Sequence, residues 1–307
     1  DFMFFYNHTL HVSLMHRRDL ALRAGGYDET VTVLIDWDMT RKLSFYTDFQ
    51  YIPVVTGEYT MPIFKSDRIS NLEREDSEKF KHNLRKIRAD LPPEPWPKVD
   101  RIAVILPVRA WTDSFRSLLT DLLDHLPYPS KVVLVNQDLQ KGGDDCRKVL
   151  GKIGELKNVL LHPPGTRLSS LDAYRFGAQC VDADYLLLSS DKFDTQNDMR
   201  LFTARHFFKP LKAEGYEAIK WDIGSERSSP FDLFMEKEVF LRKTDGKSRD
   251  PKMLIKTIPT LWPASFQCDY HLYRAKKSYE QGDLPSAYQS IRTAEACKAG
   301  GAASQYL

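Results

Sequence analysis

Ile102-Ala103-Val104-Ile105-Leu106-Pro107-Val108 is the stretch on which the reading of this chain turns. It is a short, continuous apolar run ending in Pro-Val, the pattern of a strand buried on both faces. Thr112 or Asp113 then caps a helix that carries Phe115, Leu118, Leu119, Leu122 and Leu123 on one side, and Lys131 to Asn136 reads as a second strand. Further on, Asn158 to His162 predicts a third strand, Leu171 to Val181 a helix, and Tyr185 to Ser189 a fourth strand running up to Asp191. Arg200 to Lys209 predicts a helix stopped by Pro210, and Glu217 to Ile223 another strand. Strand and helix in alternation imply an α/β fold with a mostly parallel sheet, helices on both faces, and ligands at the carboxyl ends of the strands.

Upstream the pattern differs. Residues 2 to 15 begin with an aromatic cluster and alternate around Leu10, Val12 and Leu14, which predicts a strand. Arg17 to Ala24 predicts a short helix stopped by Gly25-Gly26, since glycine takes the left-handed conformation without steric penalty. Ile35, Met39 and Leu43 recur every four residues, giving a helix from Ile35 to Phe45 with one buried face, and Phe49 to Val55 predicts a strand. Residues 72 to 91 set Leu72, Phe80, Leu84, Ile87 and Leu91 among charged neighbours, as in a surface helix that packs on a domain. Pro92-Pro93-Glu94-Pro95-Trp96-Pro97 then reads as a stiff linker. The expected organisation is residues 1–65, a helix and linker at 66–100, a sheet domain at 101–250, and a last segment at 251–307.

With 307 residues, 42% of them hydrophobic, the chain can build ordinary globular cores. Its 44 basic residues nearly balance 42 acidic ones, a net charge of +2, so charge makes no case for nucleic acid or acidic membranes as partners. No apolar run approaches the length of a transmembrane segment and no signal-peptide pattern is present. Cys146, Cys180, Cys268 and Cys297 lack paired spacing and read as reduced thiols of a cytoplasmic chain, peripheral to the inner membrane at most. His8 and His11 would lie on opposite faces of a strand, which argues against a shared metal with His16. The first residue is Asp1 and the chain ends inside a predicted helix, so a fragment of a larger protein is expected.

Chemistry is concentrated in Ile35-Asp36-Trp37-Asp38, ten residues after the Gly-Gly turn. One carboxylate in a helix's first turn is favoured in its ionised form by the dipole. From the residues alone two readings stand side by side. Asp36 could act as a base, with Trp37 and Asp38 beside it at a substrate, or Asp36 could cap its own helix while Asp38 pairs with Lys42 one turn on. Trp37 and Trp111 could stack on a sugar ring or fill the core.

Ser13 to Arg18, Ala24-Gly25-Gly26-Tyr27-Asp28-Glu29, Asp36-Trp37-Asp38-Met39 and Tyr51-Ile52-Pro53, in this order and spacing, resemble the acceptor half of the family 2 glycosyltransferases, which have the GT-A fold. In that family an acidic pair precedes the aromatic, and the carboxylate just before it is the general base of inverting transfer. The resemblance puts that base at Asp36, with Ile35 in place of its acidic neighbour and Asp38 in a supporting position. It implies transfer from a nucleotide-sugar donor to a hydroxyl of a sugar or protein acceptor, in a setting such as polysaccharide biosynthesis.

Residues 101 to about 245 resemble the donor half of the same fold. Ile102 to Val108 is similar to its opening strand, Ala173 to Gly177 to the helix before the metal strand, and Tyr185 to Asp191 to that strand itself. Asn136 and Asp138 stand where the nucleotide base is gripped, Arg175 where asparagine is usual, and Ser189-Ser190-Asp191 where an Asp-x-Asp would hold Mg²⁺ or Mn²⁺. The motifs are degenerate, which leaves three arrangements. The sheet domain could serve packing or partner binding beside a cut active domain, act on its own through Asp191 and Asp138, or bind the donor while residues 1–65 supply the base. From Tyr270 onward, Ala275, Tyr279, Gly282-Asp283, Ala287, Ile291 and Ala294 resemble a tetratricopeptide repeat. The expected function is therefore a glycosyltransferase fragment, itself inactive, or alternatively a non-catalytic pseudo-glycosyltransferase that binds a protein partner through its helical repeat.

Overall fold

The computed structural model describes residue 4 and residues 13–50, 52–55, 57, 77–93, 99–124, 126, 128–137, 143–163, 166–189, 211–222, 233–245 and 255–259, with single positions among 275–292. Helices α1 (Arg18–Arg23), α2 (Ile35–Leu43) and α3 (Ser77–Ala89) come first. The sheet unit follows as β1 (Ile102–Val108), α4 (Asp113–Asp124), β2 (Ser130–Asn136), α5 (Gly143–Leu150), β3 (Val159–His162), α6 (Ser170–Gln179), β4 (Tyr185–Leu188), β5 (Ala218–Asp222), β6 (Leu233–Glu236), α7 (Lys237–Thr244) and β7 (Ile255–Pro259).

The strands form one sheet in the order β3-β2-β1-β4-β6-β5-β7. β1 pairs in parallel with β2 and β4, β2 with β3, and β5 with β7, while β6 runs antiparallel to both neighbours. This is the mostly parallel, Rossmann-like α/β class expected, with β6 the antiparallel exception. The chain steps outward from β1 to β3 and returns to β4 on the other side of β1. A topological switch point therefore lies between β1 and β4.

Alternation along the strands divides the core in two. Val104, Leu106, Val132, Leu134 and Leu187 face α4 and α5 through Phe115, Leu119, Leu122, Cys146 and Leu150. Ala103, Ile105, Val133, Val135, Leu186 and Leu188 face α6 and α7 through Ala173, Tyr174, Ala178 and Phe240. Helices thus cover both faces, as the period-two pattern requires. Gly177 lets α6 approach closely, because a Cβ there would sit 2.7 Å from Ile105 Cγ2 and 2.8 Å from Val135 Cγ2.

In the front segment α1 ends where Gly25 and Gly26 take φ of 85° and 69°. α2 and the turn before it lie on α3, with Val31, Trp37 and Ile87 buried together against Leu34 and Leu84. The core does not stop at the proline-rich stretch. Phe4 and Phe45 stack at 5.8 Å, Phe4 meets Tyr128 edge-on at 5.6 Å, and these rings join Ala89 and Val99 in the cluster that covers one face of the sheet.

Three expectations are corrected. Of the residues described in the proposed strand at 2–15, Phe4 and Ser13 are helical in conformation, and Leu14 and Met15 are not in a strand. Phe49, Gln50 and residues 52–55 form no strand; Ile52, Val54 and Val55 are exposed, so the apolar pattern there has no partner to pair with among the described residues. Ile35 is exposed although Met39 and Leu43, on its helical stripe, are buried. The predicted helix at 200–209 lies outside the described residues. Of the repeat-like segment, the described positions Ala275, Tyr279, Leu284, Ala287, Tyr288 and Ile291 are helical, with both alanines buried.

Candidate functional site

Asp36 stands in the first turn of α2, immediately after a chain reversal at Leu34, the one non-glycine residue with positive φ (62°) among the described residues. A leucine in this left-handed region is strained by roughly 1–2 kcal/mol, and it sets the angle at which α2 starts. Asp36 Oδ1 accepts the backbone N–H of Trp37 at 2.9 Å, and its backbone carbonyl accepts the Thr40 hydroxyl at 2.6 Å. Asp36 as a residue is half-buried.

Its neighbours go inward. Trp37, 2% exposed, fills the seam between α2 and α3, with the Arg88 guanidinium 6.0 Å from its ring centre. Asp38, 1% exposed, pairs with Lys42 at 2.6 Å, the one-turn pair that the sequence offered as an alternative. Burial pushes the Asp38 carboxyl up, against the opposing pull of Lys42. Trp37 is thus a core residue and presents no ring face for a sugar.

What fixes this stretch is Arg41, a residue that the sequence did not single out. Fully buried, it donates from Nη1 to the carbonyls of Ile87 (2.9 Å) and Asp90 (2.7 Å) and from Nη2 to that of Arg88 (3.1 Å). Its guanidinium satisfies the open carbonyls at the carboxyl end of α3, where the dipole favours a cation. Burial draws its pKa down to about 10. Lys86 adds an ion pair to Asp28 at 3.4 Å, and Thr32 N–H donates to Asn83 Oδ1 at 3.1 Å.

α3 in turn is tied to the sheet unit. Arg85 forms a two-pronged ion pair with Asp124, Arg88 donates to the Asp124 carbonyl, and Lys157 pairs with Asp90 at 2.6 Å. Asp124 ends α4 before β2 begins, and Lys157 precedes β3. Every one of these ties lies at the amino ends of the strands, opposite the carboxyl-end crevice.

At the carboxyl ends Asn136, Gln137 and Tyr174 are buried. Asn136 Oδ1 accepts Trp111 Nε1–H at 2.9 Å and its Nδ2 donates to Cys146 Sγ at 3.2 Å, all three residues being buried. Gln137 N–H donates to the Val108 carbonyl at 2.7 Å, and its side chain donates to the Leu168 carbonyl at 3.0 Å. The Tyr174 hydroxyl donates to the Ser189 carbonyl at 2.8 Å. Arg109, exposed just past β1, reaches Ser170 Oγ at 2.7 Å. Asp138 and Asp191 lie outside the described residues, as do His8 and His11. Among the described residues no three His, Cys, Asp or Glu side chains come together as a metal site, and no helix is long and apolar enough to cross a membrane.

Asp36 and Asn136 are therefore carried to different ends of the sheet unit. The sequence reading of Asn136 as a nucleotide contact meets a side chain already engaged by Trp111 and Cys146.

No protein-family model matches the chain, and no curated protein matches it. Among solved structures it is similar to a mannosyltransferase from Pyrobaculum calidifontis in complex with GDP-mannose and Mn²⁺, at 15% identity and a TM-score of 0.42, over 77% of this chain and 87% of that one. It is also similar to S. aureus TarS, at 10% identity and a TM-score of 0.37, over 62% and 71% of the two chains. A third is glucosyl-3-phosphoglycerate synthase from Mycobacterium tuberculosis in complex with Mn²⁺, UDP and glucosyl-3-phosphoglycerate, at 10% identity and a TM-score of 0.37, over 52% and 70%.

Proposed function

We propose that the chain carries the acceptor side of a nucleotide-sugar-dependent glycosyltransferase of GT-A, family 2 type, with Asp36 as its general base. One observation carries this reading. Of the three residues Asp36-Trp37-Asp38, the first is half-buried while the other two are buried. Asp36 would take the proton from an acceptor hydroxyl as that oxygen attacks the anomeric carbon, with the bonding pair leaving on the nucleotide diphosphate. Positioned base catalysis of this kind contributes roughly two to four orders of magnitude. Inversion at the anomeric carbon follows from a single displacement, and cytoplasmic polysaccharide assembly at the inner membrane is the setting proposed.

On the donor side Asp138 and Asp191 are the proposed contacts, with Asp191 toward Mg²⁺ or Mn²⁺. The described residues do not make up a metal site without it, and no step is written through the ion. The experiment is sugar transfer by the protein and by Asp36→Asn, with donor binding measured alongside. Transfer should be lost and donor binding kept; unchanged turnover would reduce Asp36 to a helix cap.

A second reading is favoured by the docking of α2 and α3 at the amino ends of the strands. Base and crevice then belong to separate places, and the sheet unit serves as a non-catalytic partner of the acceptor half. The helical segment around Ala275 and Ala287, with Tyr279, Leu284, Tyr288 and Ile291 exposed, would meet a protein partner.

A further inference from the structure

The backbone at Leu34 is the one place among the described residues where a side chain is held at positive φ (62°, with ψ 29°). The turn is fixed from both sides. Before it, Asp28 accepts Thr30 N–H at 2.8 Å, Val31 N–H reaches the Asp28 carbonyl at 3.0 Å, and Val31 and Val33 are buried. After it, the Leu34 carbonyl accepts Asp38 N–H at 2.9 Å, the bond that closes the first turn of α2. The Leu34 side chain packs against Val31, Trp37 and Ile87, whereas Ile35, one turn ahead of buried Met39, is left 40% exposed. Leu34 is thus the N-cap of α2, with no side-chain oxygen to offer. A Ser, Asp or Asn in that place would take the amide of the second or third helical residue, here Asp36 or Trp37. Instead the Trp37 N–H goes to Asp36 Oδ1, at 2.9 Å.

We infer that Leu34 is a positioning residue for Asp36, acting through its left-handed backbone and not through its apolar side chain. The conformation sets the angle at which the chain enters α2, and with it the place of Asp36 in the first turn. The lack of a cap oxygen leaves the Trp37 amide to anchor the Asp36 carboxylate. Backbone strain of this kind persists only where the surroundings over-determine it. Here the seam with Ile87 and the hold of Asn83 on the Thr32 amide do so. The inference rests on the glycosyltransferase reading for the chemical task of Asp36, while the claim about the backbone stands apart from it.

The backbone and the side-chain accounts of Leu34 predict opposite orders for Leu34→Gly and Leu34→Ile. Glycine keeps the left-handed conformation and drops the side chain; isoleucine keeps the apolar volume, and a β-branched residue is an outlier at positive φ. Both variants of the full chain are compared with the parent by thermal melts and by hydrogen exchange at the Trp37 and Asp38 amides. Turnover is read as release of UDP from UDP-glucose and of GDP from GDP-mannose. Exchange at the two amides should stay slow in Leu34→Gly and quicken in Leu34→Ile. Turnover should fall about a hundredfold in Leu34→Ile with donor KM unchanged, the order expected when a reacting group is misplaced by about 1 Å, and stay near the parent value in Leu34→Gly. A Leu34→Ile protein that does not fold, beside a folded Leu34→Gly, gives the same order. The reverse order, with Leu34→Gly the worse, overturns the inference and makes Leu34 a packing residue, and equal exchange in all three proteins overturns it as well. If neither donor is turned over, or Asp36→Asn turns over as fast as the parent, the glycosyltransferase reading falls and the exchange order alone decides the part played by the Leu34 backbone.

Discussion

Arg41 and Asp90, 49 residues apart, are joined by a hydrogen bond of 2.7 Å from Nη1 to the backbone carbonyl. The same guanidinium holds Ile87 and Arg88, so a residue of α2 closes α3. Arg41→Met should destabilise the protein by about 3 kcal/mol, because three carbonyls at the end of α3, that of Ile87 buried, lose a charged donor. Arg41→Lys should recover only part of this, since one ammonium does not span three acceptors. Urea denaturation midpoints check both.

Gly177→Ala should cost about 1–3 kcal/mol, the usual range for overpacking a filled core. The added methyl would meet Ile105 and Val135 at 2.7 and 2.8 Å, and neither β-branched side chain can turn away within a strand. A destabilisation smaller in the double variant Gly177→Ala, Ile105→Ala than the sum of the two single changes would locate the clash, because Ile105→Ala removes the Cγ2 methyl.

Asp28 predicts an acid sensitivity. Hydrogen bonds from Thr30 and the nearby Lys86 lower its pKa from 3.8 to about 2. A carboxylate with a depressed folded-state pKa adds stability above its unfolded value, and this is lost as pH falls from near 4 through about 2. Asp38 has the opposite sign, since burial raises its pKa and its protonation in acid favours the folded state. Asp28→Asn should therefore flatten the fall in stability between pH 4 and pH 2, measured by thermal melts across that range.

Asp36 and Asp38 should separate by readout. Asp36→Asn is expected to lower transfer by about two to four orders of magnitude with little change in melting temperature. Asp38→Ala should leave Lys42 with only its longer contact to Asp90 at 4.0 Å and lower the melting temperature first. Paired kinetics and melts on the two variants decide which carboxylate acts and which supports.

Asn136→Ala should act on stability. It leaves the indole N–H of Trp111 buried without its acceptor, a loss of about 1–3 kcal/mol. A variant that kept full stability and lost nucleotide binding would return Asn136 to the ligand.

β1, β2 and the helix between them were legible because an unbroken apolar run and a one-sided helix leave few alternatives. β6 was not. Leu233-Phe234-Met235-Glu236 passes into α7 without a turn residue, so nothing in the sequence separates strand from helix. α5 was not read from the sequence either, since it opens on Gly143-Asp144-Asp145. The converse error at Phe49 to Val55 came from β-branched residues that promise a strand while no neighbouring strand among the described residues accepts it. In the site, Asp36 carries a motif and could be found, and the Asp38–Lys42 pair follows from helical spacing. Arg41 could not, because its partners are backbone carbonyls, which have no residue identity.

The stacked rings of Phe4 and Phe45 on Tyr128 bear on how this chain can be divided. Its composition invites a cut at the proline-rich stretch, yet a piece taken from either side would carry half of a shared apolar surface into water. The front segment and the sheet unit thus share one apolar core across that stretch. Exchange of one for a relative's counterpart requires the aromatic contact to be exchanged with it.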